Sequence, residues 1–134
     1  MVFGIPAFTP YIPPVTELIE VAEAKELTLM EEAQLNTRTF TKEELIEITY
    51  GIADAHSVSR EVMQKVVECE SSYVVDAVGD HGYSHGLVQI FMPVWEDSIS
   101  IEEANNSYFA LSFLATNLSE GRGYLWTCYN MFYG

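Results

Sequence analysis

The sequence predicts a mainly helical domain that also holds a small irregular or β-like lobe. Three observations carry this prediction. Apolar residues recur at helical spacing over 45–53, 62–69 and 104–118. Thr41 with Glu44, and Ser100 with Glu103, have the form of capping boxes at helix starts. Between Ser71 and Ser84 the helical spacing stops, and Gly79, Asp80, Gly82 and Ser84 bring turn chemistry instead.

Taken in order, residues 1–40 are expected to form an N-terminal region ahead of a main domain at 41–134. Pro6, Pro10, Pro13 and Pro14 exclude a regular helix over 1–15. Phe3, Phe8 and Tyr11 lie among them, so this arm is expected to lie across the domain, to dock onto another chain, or to stay partly disordered. Thr16 caps a helix from Glu17 to about Met30, whose apolar stripe (Leu18, Ile19, Val21, Ala22) is imperfect, and 36–40 form a connection.

From Thr41 a helix with Leu45, Ile46, Ile48, Ile52 and Ala53 on its apolar face should end near His56. His56, Ser57 and Val58 make the turn, and Ser59 caps the next helix. That helix holds Val62, Met63, Val66, Val67 and Cys69, and carries Glu70 near its end. A short apolar run at 87–91 has Gln89 inside it and is limited by Pro93. Ser100 opens a helix with Ala104, Phe109, Leu111, Leu114 and Leu118 inward, which Gly121 and Gly123 stop. An aromatic segment at 124–133 closes the chain.

The 134 residues suit one ordinary domain, and a hydrophobic content of 49% is enough for a core. No apolar run approaches the ~20 residues of a membrane helix, so membrane insertion is not expected. No basic segment followed by an apolar one marks a secretory signal at the N-terminus. A net charge of −14 argues against binding nucleic acid or anionic membranes, both of which need basic patches. The acids crowd between Glu17 and Glu47, as solvated helix faces or as a surface for a basic partner. His81 and His85 share one loop without further ligands at metal spacing, and no cofactor fingerprint occurs, so neither metal nor cofactor is expected.

Glu70 is the residue with unusual chemistry. A helix ends in partial negative charge, which disfavours an ionised carboxylate there. Apolar neighbours push the same way, toward the neutral acid. A carboxylic acid that stays protonated near neutral pH is what a glycosidase uses to protonate a leaving oxygen.

The run Glu70-Ser71, a Gly/Asp loop, and Gly86-Leu87-x-Gln89-Ile90 resembles the core of the soluble lytic transglycosylase and goose-type lysozyme superfamily. Cys69 before Glu70, Trp95, and Trp126-Thr127-Cys128-Tyr129 resemble its small phage and bacterial domains. The similarity covers roughly 41–129. It implies a lysozyme-like α+β fold built around the helix that carries Glu70. It also implies cleavage of the β-1,4 bond between N-acetylmuramic acid and N-acetylglucosamine in peptidoglycan.

In that family the Glu is the acid, so Glu70 takes the role here. Ser71 follows as the Ser that supports the site and contacts sugar, with an ordinary helix-end Ser as the plain alternative. Gln89 would border the saccharide cleft, and Gly86 would let backbone approach the sugar or serve structure alone. Tyr129 and Asn130 resemble the family's Tyr-Asn pair, whose Tyr hydrogen-bonds the Glu. Met131 stands where a small residue is usual. Trp95 and Trp126 are candidates for sugar stacking or core, and His85 for a sugar contact or a plain loop residue.

A transglycosylase manages with one acid. A hydrolase needs a second carboxylate, about 6.5–9.5 Å away for inversion. Asp80 lies where goose-type lysozymes carry an Asp, but their further Asp is replaced by Phe91. Asp76 is a substitute or a turn cap. Transglycosylation is therefore expected first and hydrolysis second. The rival from another class is an inactive adaptor that keeps the fold and assembles with virion or envelope chains through 1–40. The expected partner is the peptidoglycan glycan strand, and the expected setting is extracellular or virion-borne. A disulfide between Cys69 and Cys128, helped by the resemblance, would tie the Glu70 helix to the C-terminal helix. Two buried free thiols are the alternative.

Overall fold

The computed structural model describes residues 39–134. The Pro/aromatic arm and the acidic helix expected before them lie outside the described residues. The described chain is mainly helical, with one small antiparallel sheet.

Helix α1 (Lys42–Ala55) starts at the expected capping box. Thr41 Oγ1 accepts from the Glu44 N–H at 3.1 Å, and Glu44 Oε1 accepts from the Thr41 N–H at 3.0 Å. The helix buries Leu45, Ile48, Thr49, Ile52 and Ala53. Ser57, at φ 58, turns the chain, and the Ser59 hydroxyl accepts from the Val62 N–H to start α2 (Arg60–Ser71).

In α2 the buried Met63, Val66 and Val67 form one stripe, which Glu70 continues one turn further. Lys42 Nζ ties α1 to this end of α2 through Glu68, at 2.9 Å. Ser72 and Tyr73 follow with φ of 51° and 61°, and their left-handed backbone ends the helix and reverses the chain. The buried Tyr73 hydroxyl shares a hydrogen bond with Thr49 Oγ1 at 3.0 Å, and burial pushes its pKa up to about 12. The turn is thereby pinned to α1.

The lobe that follows is a sheet of two-residue strands, in the order β1 (Val78–Gly79), β2 (Ser84–His85), β3 (Ile90–Phe91). Gly79, Ser84 and Phe91 are cross-strand partners in one row; Val78, His85 and Ile90 form the other. Because strand side chains alternate, the two rows face opposite sides of the sheet. Gly86, at φ 90, starts the turn between β2 and β3. A Cβ there would lie 2.0 Å from the carbonyl oxygen of Ala104, so this glycine is where the lobe closes on the helices.

After β3 come α3 (Met92–Trp95) and α4 (Ile101–Ala104), the latter opened by the expected Ser100–Glu103 capping box. The sequence predicts one helix from Ser100 onward, but the structure divides it. Asn106 leaves helical geometry, and its side chain accepts from the Phe109 N–H at 2.8 Å, capping a new helix, α5 (Ser107–Ser119). Ala110, Leu111, Leu114 and Ala115 of α5 complete the core with α1 and α2. Gly121, at φ 79, ends this segment, and Arg122 Nε bonds back to the buried Asn117 at 2.7 Å.

Helix α6 (Thr127–Tyr133) packs against α2. Cys69 and Cys128 form a disulfide, with Cα atoms 6.0 Å apart. Closing a loop of 59 residues stabilises by about 4 kcal/mol in the chain-entropy model. Among the described residues no helix is long and apolar enough to cross a membrane.

Candidate active site

The end of α2, the sheet and the start of α6 enclose a groove. Its larger part, about 430 Å³, is lined by Glu70, Asp80, Ser84, Gln89 and Trp126, with His81, Tyr83, Phe91, Leu125 and Thr127. A smaller part of about 160 Å³ adjoins it through Gln89, Phe91, Leu125 and Trp126, and adds Val94, Trp95 and Phe113. One end of the trough therefore carries carboxyl groups, and the other is aromatic and aliphatic. Among the described residues no Lys or Arg lines either part.

Glu70 is half-buried because it sits where the core stripe of α2 meets the groove. Burial raises its pKa above the ordinary carboxylate value, and the negative charge of Asp80 adds to that rise. One contact opposes them. Glu70 Oε2 accepts from the Cys128 N–H at 3.2 Å, which favours the ionised form. The first-turn N–H groups of α6, like those of any helix, have no intrahelical partner, and the Trp126 side chain does not cap them. Glu70 satisfies one of them from another element. The acid is thus fixed in direction and biased toward holding its proton.

Asp80 lines the same groove with backbone φ 50, and accepts a short hydrogen bond from the Ser84 hydroxyl. The two carboxyl groups have different surroundings, one half-buried and one exposed. Asp76 is exposed and does not line the groove.

Gln89 lines both parts of the groove, but its amide is engaged by the protein. Nε2 donates to the carbonyls of Ala77 and Gly86, both at 3.0 Å, and its backbone is left-handed at φ 54. It locks the turn between β2 and β3 onto the loop before β1. Trp126 is buried, with its indole N–H donating to the Val88 carbonyl at 2.7 Å, and contributes an edge to the groove wall. Trp95 lines the smaller part and packs edge-on against Phe113 at 5.0 Å between centroids.

Five residues expected to contact substrate lie elsewhere. Ser71 is buried and its hydroxyl bonds back to the Val67 carbonyl within α2. His85 is in the strand row opposite Ser84, and its ring bonds to the Gly82 carbonyl at 3.0 Å. Gly86 packs on Ala104 rather than facing the groove. Tyr129 lies over Gly123, where a Cβ would come within 2.6 Å of its ring, and stacks at an angle on Tyr133. The hydrogen bond expected from its hydroxyl to Glu70 is supplied by the Cys128 N–H instead. Asn130 donates to the Tyr124 carbonyl at 3.0 Å, tying α6 to the turn before it.

The groove also contains residues that the sequence did not single out as lining. Ser84 and Phe91 share a cross-strand row, which strand register alone reveals. Leu125 and Thr127 flank Trp126 and arrive with it. No protein-family model matches this chain, and no curated protein and no solved structure matches it.

Proposed function

We propose that the protein cleaves the β-1,4 glycosidic bond of peptidoglycan as a lytic transglycosylase on a lysozyme-like fold, with Glu70 as its acid. The observation that carries this reading is the placement of Glu70. It is half-buried, held by a backbone N–H, shifted toward its neutral form, and set at the end of an open trough. The motif residues around it, Cys69-Glu70-Ser71 and Gly86-Leu87-x-Gln89-Ile90, supply the likeness to that superfamily.

The chemistry needs one proton handled twice. Protonated Glu70 gives its proton to the glycosidic oxygen as the bond to C1 breaks. The resulting carboxylate then takes the proton of the C6 hydroxyl of N-acetylmuramic acid while that oxygen attacks C1. Glu70 ends as it began, and the product is a 1,6-anhydro sugar. In this scheme the Asp80 charge adds to the bias that holds the proton on Glu70 beforehand. The disulfide fits work in an oxidising setting outside the cytoplasm.

Hydrolysis of the same bond is the second reading, because Asp80 lines the groove with Glu70 and is a carboxylate able to direct water. Mass spectrometry of muropeptides released from purified sacculi in heavy-oxygen water separates the two. Anhydro ends without label are the expected product. Labelled reducing ends establish hydrolysis. Failure to release any soluble muropeptide overturns both readings.

A further inference from the structure

One backbone amide connects the disulfide to the groove. Cys69 directly precedes Glu70, and Cys128 supplies both the other sulfur and the N–H that Glu70 Oε2 accepts. The covalent bond and the hydrogen bond therefore close a small ring between the end of α2 and the start of α6. Cys69 is exposed, whereas Cys128 is buried. Two further ties of this corner do not involve the carboxyl. Trp126 is anchored through the Val88 carbonyl, and Lys65 lies over the Phe132 ring at 5.7 Å.

We propose that Cys128 is a positioning residue whose amide, tethered by the disulfide, aims the Glu70 carboxyl into the groove, and that reduction of this bond releases the acid and slows the reaction. The inference rests on the glycan-cleaving reading for its effect on rate, but not for its effect on Glu70 itself. In the reductive step a dithiol gives two electrons and two protons to the Cys69–Cys128 bond. The S–S bond breaks, both cysteines leave as thiols, and the dithiol closes to its own disulfide. The start of α6 is then free to move off α2, and Glu70 loses the contact that favours its ionised form. The other titratable groups that line the groove with Glu70 are Asp80, His81 and Tyr83. On α6 the other titratable groups are Tyr129 and Tyr133, and from α1 Lys42 reaches this end of α2 but is engaged by Glu68.

The test is an NMR titration of the full-length protein with isotope-labelled glutamate, followed at the Glu70 carboxyl and at the Cys128 amide proton, oxidised and after reduction by a dithiol. In the oxidised protein the two signals should share one midpoint. After reduction the Glu70 midpoint should move to higher pH, and the Cys128 amide should stop following it. Clearing of sacculi should slow by roughly 10–10²-fold, with the basic limb of its pH profile displaced upward. Equal Glu70 midpoints in two folded forms overturn the proposal, as does a Cys128 amide that ignores Glu70 in the oxidised protein. If the reduced chain unfolds, a methylene bridge placed between the two sulfurs keeps the tether while displacing the amide. An unchanged midpoint in that folded form, with the amide signal uncoupled, overturns it equally. Loss of clearing in every form, with the NMR shift intact, removes the glycan reading and leaves the positioning role standing.

Discussion

At Glu70 two demands oppose each other. The fold half-buries a carboxyl group whose charged form it disfavours, and the proposed chemistry needs that disfavour. The folded pKa lies above the unfolded one, so the neutral acid contributes stability at low pH, and this contribution is lost as pH rises through the folded value. Glu70→Gln removes the charge and keeps an oxygen for the Cys128 N–H. Thermal melts should therefore show the variant more stable than wild type at neutral pH, with the difference closing as pH falls. Asp80, in the same groove, acts on the same proton through its charge. Asp80→Asn removes a repulsive charge, so the Glu70 pKa should fall and the basic limb of the clearing profile should move to lower pH. A transglycosylase keeps most of its rate in this variant, whereas a hydrolase that uses Asp80 as base loses about 10²–10⁴-fold. Glu70 stood out in the sequence by its place at the end of an apolar helix, and Asp80 only through the resemblance. The leading cause of the Glu70 shift was less legible, since burial dominates where the sequence argument began from the helix end. Ser71, His85, Gly86, Tyr129 and Asn130 were assigned by motif, but which way each faces depends on strand register and helix phase in the assembled fold.

Among the elements, α1 and α2 follow their sequence signals within a residue. Their starts are set by local side-chain caps, and their buried faces by helical spacing. The division between α4 and α5 was hidden, because Ser100 and the later apolar residues fit one continuous helix. Asn106 decides the matter by bonding the Phe109 N–H. The sheet was legible only as a loss of helical spacing, since strands of two residues carry no period of their own. The lobe depends instead on long-range fits, chiefly Gln89 across Ala77 and Gly86, and Gly86 against Ala104. Gly86→Ala forces a Cβ into a carbonyl oxygen at a left-handed position. It should cost roughly 2–4 kcal/mol in chemical denaturation, and it should lower clearing by disturbing the wall that holds Ser84 and Phe91.

For the whole molecule, charge and covalent closure set the working conditions. On the proposed reading, a chain of net charge −14 acts on an envelope polymer that is commonly anionic, and the repulsion between them is long-ranged and screened by salt. The initial rate of clearing should therefore rise as ionic strength increases from about 10 mM to about 150 mM. A rate that falls over this range would mean that a basic partner surface or a cationic glycan drives binding instead. The disulfide joins the two segments that build the acid's surroundings, and its pairing was legible because the two cysteines flank the motif residues. The measurement that decides most is the rate at which wild type and Glu70→Gln clear purified sacculi at neutral pH, with both proteins shown to be folded. Wild type should clear them and the variant should be slower by about 10²–10⁴-fold. Equal rates, or no clearing by wild type, would contradict a proton on Glu70 as the source of catalysis.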